Sequence, residues 1–100
     1  MSVKKTLIYW RDIPSQVIVQ RGRQREKAQL SARFQEAIDR AAMRAGKGSS
    51  DAYLNEWRRV TESLDRVDDL GSFVASEVAR LESEYSDERL TSMIRNHGAD

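Results

Sequence analysis

Along the chain, two dense apolar runs come first: Leu7–Trp10, LIYW, and Val17–Val19, VIV, separated by six mostly polar residues that include the only proline. Both runs are rich in the β-branched and aromatic residues that fit a pleated, half-buried surface. They predict an antiparallel hairpin with strands over 6–13 and 16–21. The turn is expected around Asp12–Ser15: Pro14 has no N–H to give a ladder and biases Ile13 toward extended geometry, while Asp12 and Ser15 can bond locally to the backbone. On the first strand Leu7, Tyr9 and Arg11 share one face and Ile8, Trp10 and Asp12 the other. Each face begins apolar and ends charged, which suggests a helix over one face and partial cover over the other.

Further along, the apolar period lengthens. Leu30, Phe34, Ala37, Ile38, Ala41, Ala42 and Ala45 recur at helical spacing, predicting a helix over 24–45 that Gly46 and Gly48 end. Its alanines imply close approach of another backbone, and Met43 reads as core filler. The segment 52–64 fits a helix through Tyr53, Trp57, Val60 and Leu64, and equally fits a strand by alternation. Because a lone hairpin is marginal in water, we read a third strand over 53–60. Asp68 or Asp69 caps a helix over 69–85 carrying Leu70, Phe73, Val74, Val78, Leu81 and Tyr85 on one stripe. Ser86 or Asp87 opens a short helix over 87–96. The expected fold is a single α+β domain over 1–100, a small antiparallel sheet of a hairpin plus a third strand packed against two to three helices.

Composition narrows the chemistry. One hundred residues allow one compact core but not a deep active site with a separate cofactor domain. The chain has no cysteine and one histidine, His97, so no thiolate metal site, disulfide or cysteine nucleophile is expected, nor any cofactor or metal. Lack of cysteine suits the cytoplasm. The first apolar run stops at Arg11, short of a signal-peptide core or a membrane span. Net charge is +1 but unevenly placed: cations dominate up to Lys27 and acids dominate after Asp65. The two halves are expected to complement each other within the fold or across a self-association contact, or else to meet a charged partner.

The segment 20–27, QRGRQREK, carries the candidate site. With the helix beginning at Gln24, Arg21, Arg23 and Arg25 would stand at the positive pole of its dipole, where cations are disfavoured. An anion docked on the free N–H groups would offset that cost. A second candidate patch is Trp57 with Arg58 and Arg59, an aromatic beside basic residues, the alternative being that Trp57 belongs to a core edge.

The words YWRDIPSQVIV, then LSARFQEAIDRAAMRAG, then DAYLNEWRR resemble a family of small alphaproteobacterial proteins grouped as a virulence factor domain, over most of Leu7–Arg59. After Arg59 the chain departs, with VTESLDRVDDLG in place of a shorter connection, and the likeness resumes at RLESEY. The resemblance implies a cytosolic accessory protein found beside folate-linked methyl-group enzymes such as methylenetetrahydrofolate reductase and corrinoid methyltransferases. Within the shared words, Trp10, Arg11, Asp12, Trp57 and Arg58 are the expected surface determinants.

These readings favour a non-enzymatic accessory domain that docks an acidic protein or a small anionic ligand on Arg11, Arg21, Arg23, Arg25 and Arg58; a folate polyglutamate tail is one such anion. Nucleic-acid binding is the alternative raised by a basic segment beside aromatics on a small sheet, and the near-neutral total and acidic C-terminal half argue against it. A homodimer through an exposed sheet edge is a further alternative. No nucleophile–base set is visible that would make the chain an enzyme.

Overall fold

The computed structural model describes residues 2–100. The elements run β1 (Val3–Trp10), β2 (Ile13–Arg21), β3 (Gln24–Gln29), α1 (Ala32–Arg44), a single helical turn α2 (Ser50–Leu54), β4 (Trp57–Leu64), α3 (Leu70–Glu84) and α4 (Asp87–Arg95). The four strands form one antiparallel sheet in the order β3-β2-β1-β4. This is an α+β fold, with one strand more than the hydrophobic pattern suggests.

That extra strand is a correction with a local cause. Gln24–Gln29 pairs with β2 from Arg21–Gln24 to Gln16–Gln29 and is not the start of a helix. Gly22 and Arg23 make a two-residue turn, and Gly22 takes the left-handed φ of 60° that its first position demands. Gln24–Gln29 holds no apolar residue except Ala28, so nothing in it favours a helix packed on the core. The helical stripe proper begins two residues after Leu30, where Ser31 stands as N-cap.

The first turn also differs from expectation. It is Arg11–Asp12, and Ile13 and Pro14 already belong to β2. Proline is tolerated there because β3 pairs with β2 only from Gln16 onward, and the β1–β2 register slips by one residue at Ser15. The strand expected over 53–60 lies at Trp57–Leu64, since Tyr53 and Leu54 complete the turn of α2.

Leu7, Val17 and Val19 face the helices and join Phe34, Ala37, Ile38, Ala41, Val74, Leu81 and Met93 in the core. Helix α3 lies on β2 and β3, and α1 lies between β2 and α4. Asp69 caps α3 by accepting the Gly71 N–H, and Ser86 caps α4 by accepting the Arg89 N–H. Met43, expected in the core, is 74% exposed on the outer side of α1.

Candidate functional site

Five of the residues singled out from the sequence meet at one end of the sheet. Arg11 has a left-handed φ of 54°, a conformation costing a non-glycine residue about 1–2 kcal/mol. Its surroundings hold it there. The Arg11 N–H donates to the Glu56 carbonyl at 3.1 Å, and its guanidinium donates to the His97 carbonyl at 2.8 Å and to the Glu56 carboxylate at 3.2 Å. Arg58 donates to the Arg11 carbonyl at 2.7 Å and to the Asp12 carboxylate at 3.1 Å. Asp12 in turn accepts the Asp100 N–H at 3.0 Å. Trp10 is fully buried beneath this turn, with its indole N–H donating to the Tyr53 carbonyl at 2.9 Å. Trp57 is half-buried and meets Tyr53 edge to face. The cluster ties the β1–β2 turn to the start of β4 and to the C-terminal tail, and its polar groups are largely occupied by one another.

The other three residues lie at the opposite end, on the β2–β3 hairpin and not at a helix start; the dipole argument therefore does not apply to them. Arg21 is engaged, donating to the Val67 carbonyl at 2.6 Å and to Gln24. Arg23 and Arg25 are exposed, and neither makes a salt bridge among the described residues. Between this hairpin and the start of α3 lies a hollow of about 380 Å³ lined by Arg21, Arg25, Glu26, Asp68 and Asp69 among others, so acids of the chain itself border the same space as the arginines.

Register pairing brings out a surface the sequence reading missed. Cross-strand partners share a face, so three rows cross the side of the sheet away from the helices. These are Ser63–Lys4–Gln20–Arg25, then Thr61–Thr6–Ile18–Lys27, then Arg59–Ile8–Gln16–Gln29. A 3.0 Å hydrogen bond between the Thr6 and Thr61 hydroxyls confirms the alignment. The rows carry four cations and no carboxylate, and Lys4, Arg25, Lys27 and Arg59 have no ion-pair partner among the described residues. Ile8 and Ile18 occupy the middle, outside the main core cluster; Ile8 is half-buried and Ile18 is buried. A shallow concavity of about 530 Å³ opens beside them, lined by Ile8, Gln16, Trp57, Arg58 and Arg59. The signal lay in reading Gly22–Arg23 as a turn: folding the chain there sets Arg25 and Lys27 beside Gln20 and Ile18.

The covered face has the opposite character. Lys5 reaches under the sheet to Glu77 of α3 at 2.8 Å and to Glu62 of β4 at 3.0 Å. Burial works against the charge on both Lys5 and Glu77. Hydrogen bonds outweigh it, raising Lys5 above the usual lysine value and, with Arg80, holding Glu77 below the usual carboxylate value. Among the described residues no group of three or more His, Asp or Glu side chains is placed to hold a metal ion, and no helix is long and apolar enough to cross a membrane.

A four-stranded antiparallel sheet with helices on one face and an open, basic, carboxylate-free other face places this chain among small α+β domains that offer a sheet surface. More particularly, residues 8–94 match the virulence factor family, and the chain belongs to it. No curated protein and no solved structure matches the chain.

Proposed function

We propose that this protein is a non-enzymatic binding module that docks an acidic protein on the open face of its sheet. The three-row arrangement carries this reading: Ile8 and the buried Ile18 at the centre, glutamine and threonine around them, and four cations with no ion-pair partner among the described residues. An apolar centre inside a polar rim is how protein interfaces are built, and single-sign charge speeds encounter with an oppositely charged partner. The central positions are aliphatic, whereas sheets that bind single-stranded RNA place stacking aromatics there; this favours a protein over a nucleic acid.

The expected partner is an acidic surface with an apolar anchor for Ile8, the half-buried isoleucine that lines the concavity. The folate-linked enzymes implied by the family resemblance make polyglutamate a reasonable first probe, beside acidic candidate proteins. In calorimetric titrations the wild type should bind and the triple variant Arg25→Glu/Lys27→Glu/Arg59→Glu should lose at least about tenfold in affinity with its thermal midpoint kept. Equal binding by both proteins sinks the reading. Tighter binding of a mixed oligonucleotide than of any acidic protein, with the same loss in the variant, would instead assign the face to nucleic acid.

A further inference from the structure

We infer that β4 is a self-association edge, joining two copies of this chain into one continuous eight-stranded antiparallel sheet. This goes beyond the docking of an acidic partner and does not depend on it.

The sheet has two edges, and they are built differently. Edge β3 is six residues long, QREKAQ, with three charged side chains in consecutive positions, the usual defence against unwanted pairing. Edge β4 is eight residues long, WRRVTESL, and pairs with β1 without a bulge from Trp10–Trp57 to Val3–Leu64. It has no proline, packs chiefly on β1, and leaves Val60 44% exposed.

Backbone directions on that edge follow from one bond. The Arg11 N–H donates to the Glu56 carbonyl in line with the β1–β4 ladder, which makes that pair a hydrogen-bonded one. Hydrogen-bonded pairs alternate along an antiparallel ladder. Arg58, Val60, Glu62 and Leu64 therefore turn their amides toward β1, and Trp57, Arg59, Thr61 and Ser63 turn theirs outward.

A second copy can pair there by a two-fold axis normal to the sheet, the isologous arrangement commonest among soluble dimers. That symmetry requires opposed residues to share a face. An axis through Val60 sets Arg59 opposite the partner copy's Thr61 and Trp57 opposite its Ser63, so every outward amide of β4 finds a mate. It also sets Val60 against Val60 and Arg58 against the partner copy's Glu62, twice. The Nη1 of Arg58 and the Oε2 of Glu62 make no bond among the described residues, which leaves both for this pair. An axis through Thr61 would strand the Trp57 amides and place Val60 against glutamate. Sequence and edge direction thus agree on one register and one occupant.

The consequence is geometric. The open face of one copy projects on the order of 400 Å², from four strands about 4.8 Å apart and three rows about 6.8 Å apart. That is about half of the roughly 800 Å² per partner found in stable complexes. A two-fold axis normal to the sheet keeps both open faces on the same side, so the dimer presents about the full amount.

The test uses the full chain, whose lack of cysteine leaves an introduced thiol as the only one. Sedimentation equilibrium should show a dimer that strengthens with concentration, and Val60→Cys should cross-link under mild oxidation, because that pair lies within disulfide reach. Thr61→Pro removes an outward N–H and the Thr6–Thr61 hydroxyl bond but no backbone bond to β1; it should weaken the dimer about tenfold, and Thr61→Val, which loses only the hydroxyl bond, should not, with the circular dichroism spectrum unchanged in both. A single-chain mass up to about 1 mM, or Thr61→Cys cross-linking in preference to Val60→Cys, overturns the proposal whatever Thr61→Pro does to folding.

Discussion

Gly98 is the residue on which the clamp around the first turn closes. Its φ of +94° suits only glycine, and a Cβ there would stand 2.9 Å from one carbon of the Trp10 ring and 3.2 Å from another. The same residue accepts the Asp12 N–H at 3.0 Å, so a shift of its backbone also loosens the turn that holds Arg11 in its left-handed conformation. Gly46 provides the comparison: its φ is +71°, with nothing within 4 Å of an added Cβ. Gly98→Ala should destabilise the protein by about 2–3 kcal/mol and Gly46→Ala by about 1 kcal/mol. Equal shifts in thermal unfolding would mean that backbone strain acts alone and the Trp10 contact contributes nothing. Little of this shows in the sequence. Strict alternation groups Trp10 with Ile8 on the open face, and it is buried where Gly98 of the tail and Tyr53 of α2, both far along the chain, fold back against it.

Between elements, the Lys5–Glu77 pair joins the sheet to α3. Only 12% and 11% of these side chains is exposed, which separates the pair from ordinary surface ion pairs. Glu77→Gln leaves the Lys5 ammonium with Glu62 as its one acidic partner and should cost about 1–3 kcal/mol at neutral pH. The pH dependence has a definite sign. A carboxyl held below its ordinary value of 4.5 stabilises the fold above that value, and the contribution disappears as pH falls through the folded-state value. Urea midpoints of wild type and Glu77→Gln should therefore differ at pH 7 and converge well below pH 4.5; a constant gap across that range would rule out this linkage. Helical spacing places Glu77 on the same face of α3 as Leu70, Val74 and Leu81, and all four are buried; what the pattern does not show is Lys5, the partner that lets a carboxylate sit there. The stripe itself, the caps at Asp69 and Ser86 and the strand character of Leu7–Trp10 and Val17–Val19 were all legible, because they depend on neighbours within a turn or two of chain. Strand β3 was not, since a polar hexapeptide becomes a strand only when an adjacent edge supplies its hydrogen bonds.

At the scale of the whole molecule, the charge asymmetry between the two halves is met only in part. Lys5 pairs across to Glu77, whereas Lys4, Arg23, Arg25 and Lys27 find no acid of the chain among the described residues. Grouping like charges on one sheet face works against the compact state, so Lys27→Glu should leave stability within about 0.5 kcal/mol of wild type or raise it. A loss well beyond that in a denaturant titration would show that Lys27 serves the fold. If the face binds an acidic protein, its affinity should fall steeply as added salt shortens the Debye length to about 3 Å at 1 M.

By itself the sequence determined an α+β chain of this family, most of its helices and its first hairpin, because periodicity, caps and turn residues act over a few positions. Only tertiary structure decided which cations share a face. Register between strands far apart in the chain sets Arg59 in one row with Ile8 and Gln16, and Lys27 in one row with Ile18 and Thr6. It also decided that the signature residues around Arg11 brace one another, since the carbonyls and carboxylates that hold them arrive from Glu56, His97 and Gly98 once the chain has closed on itself.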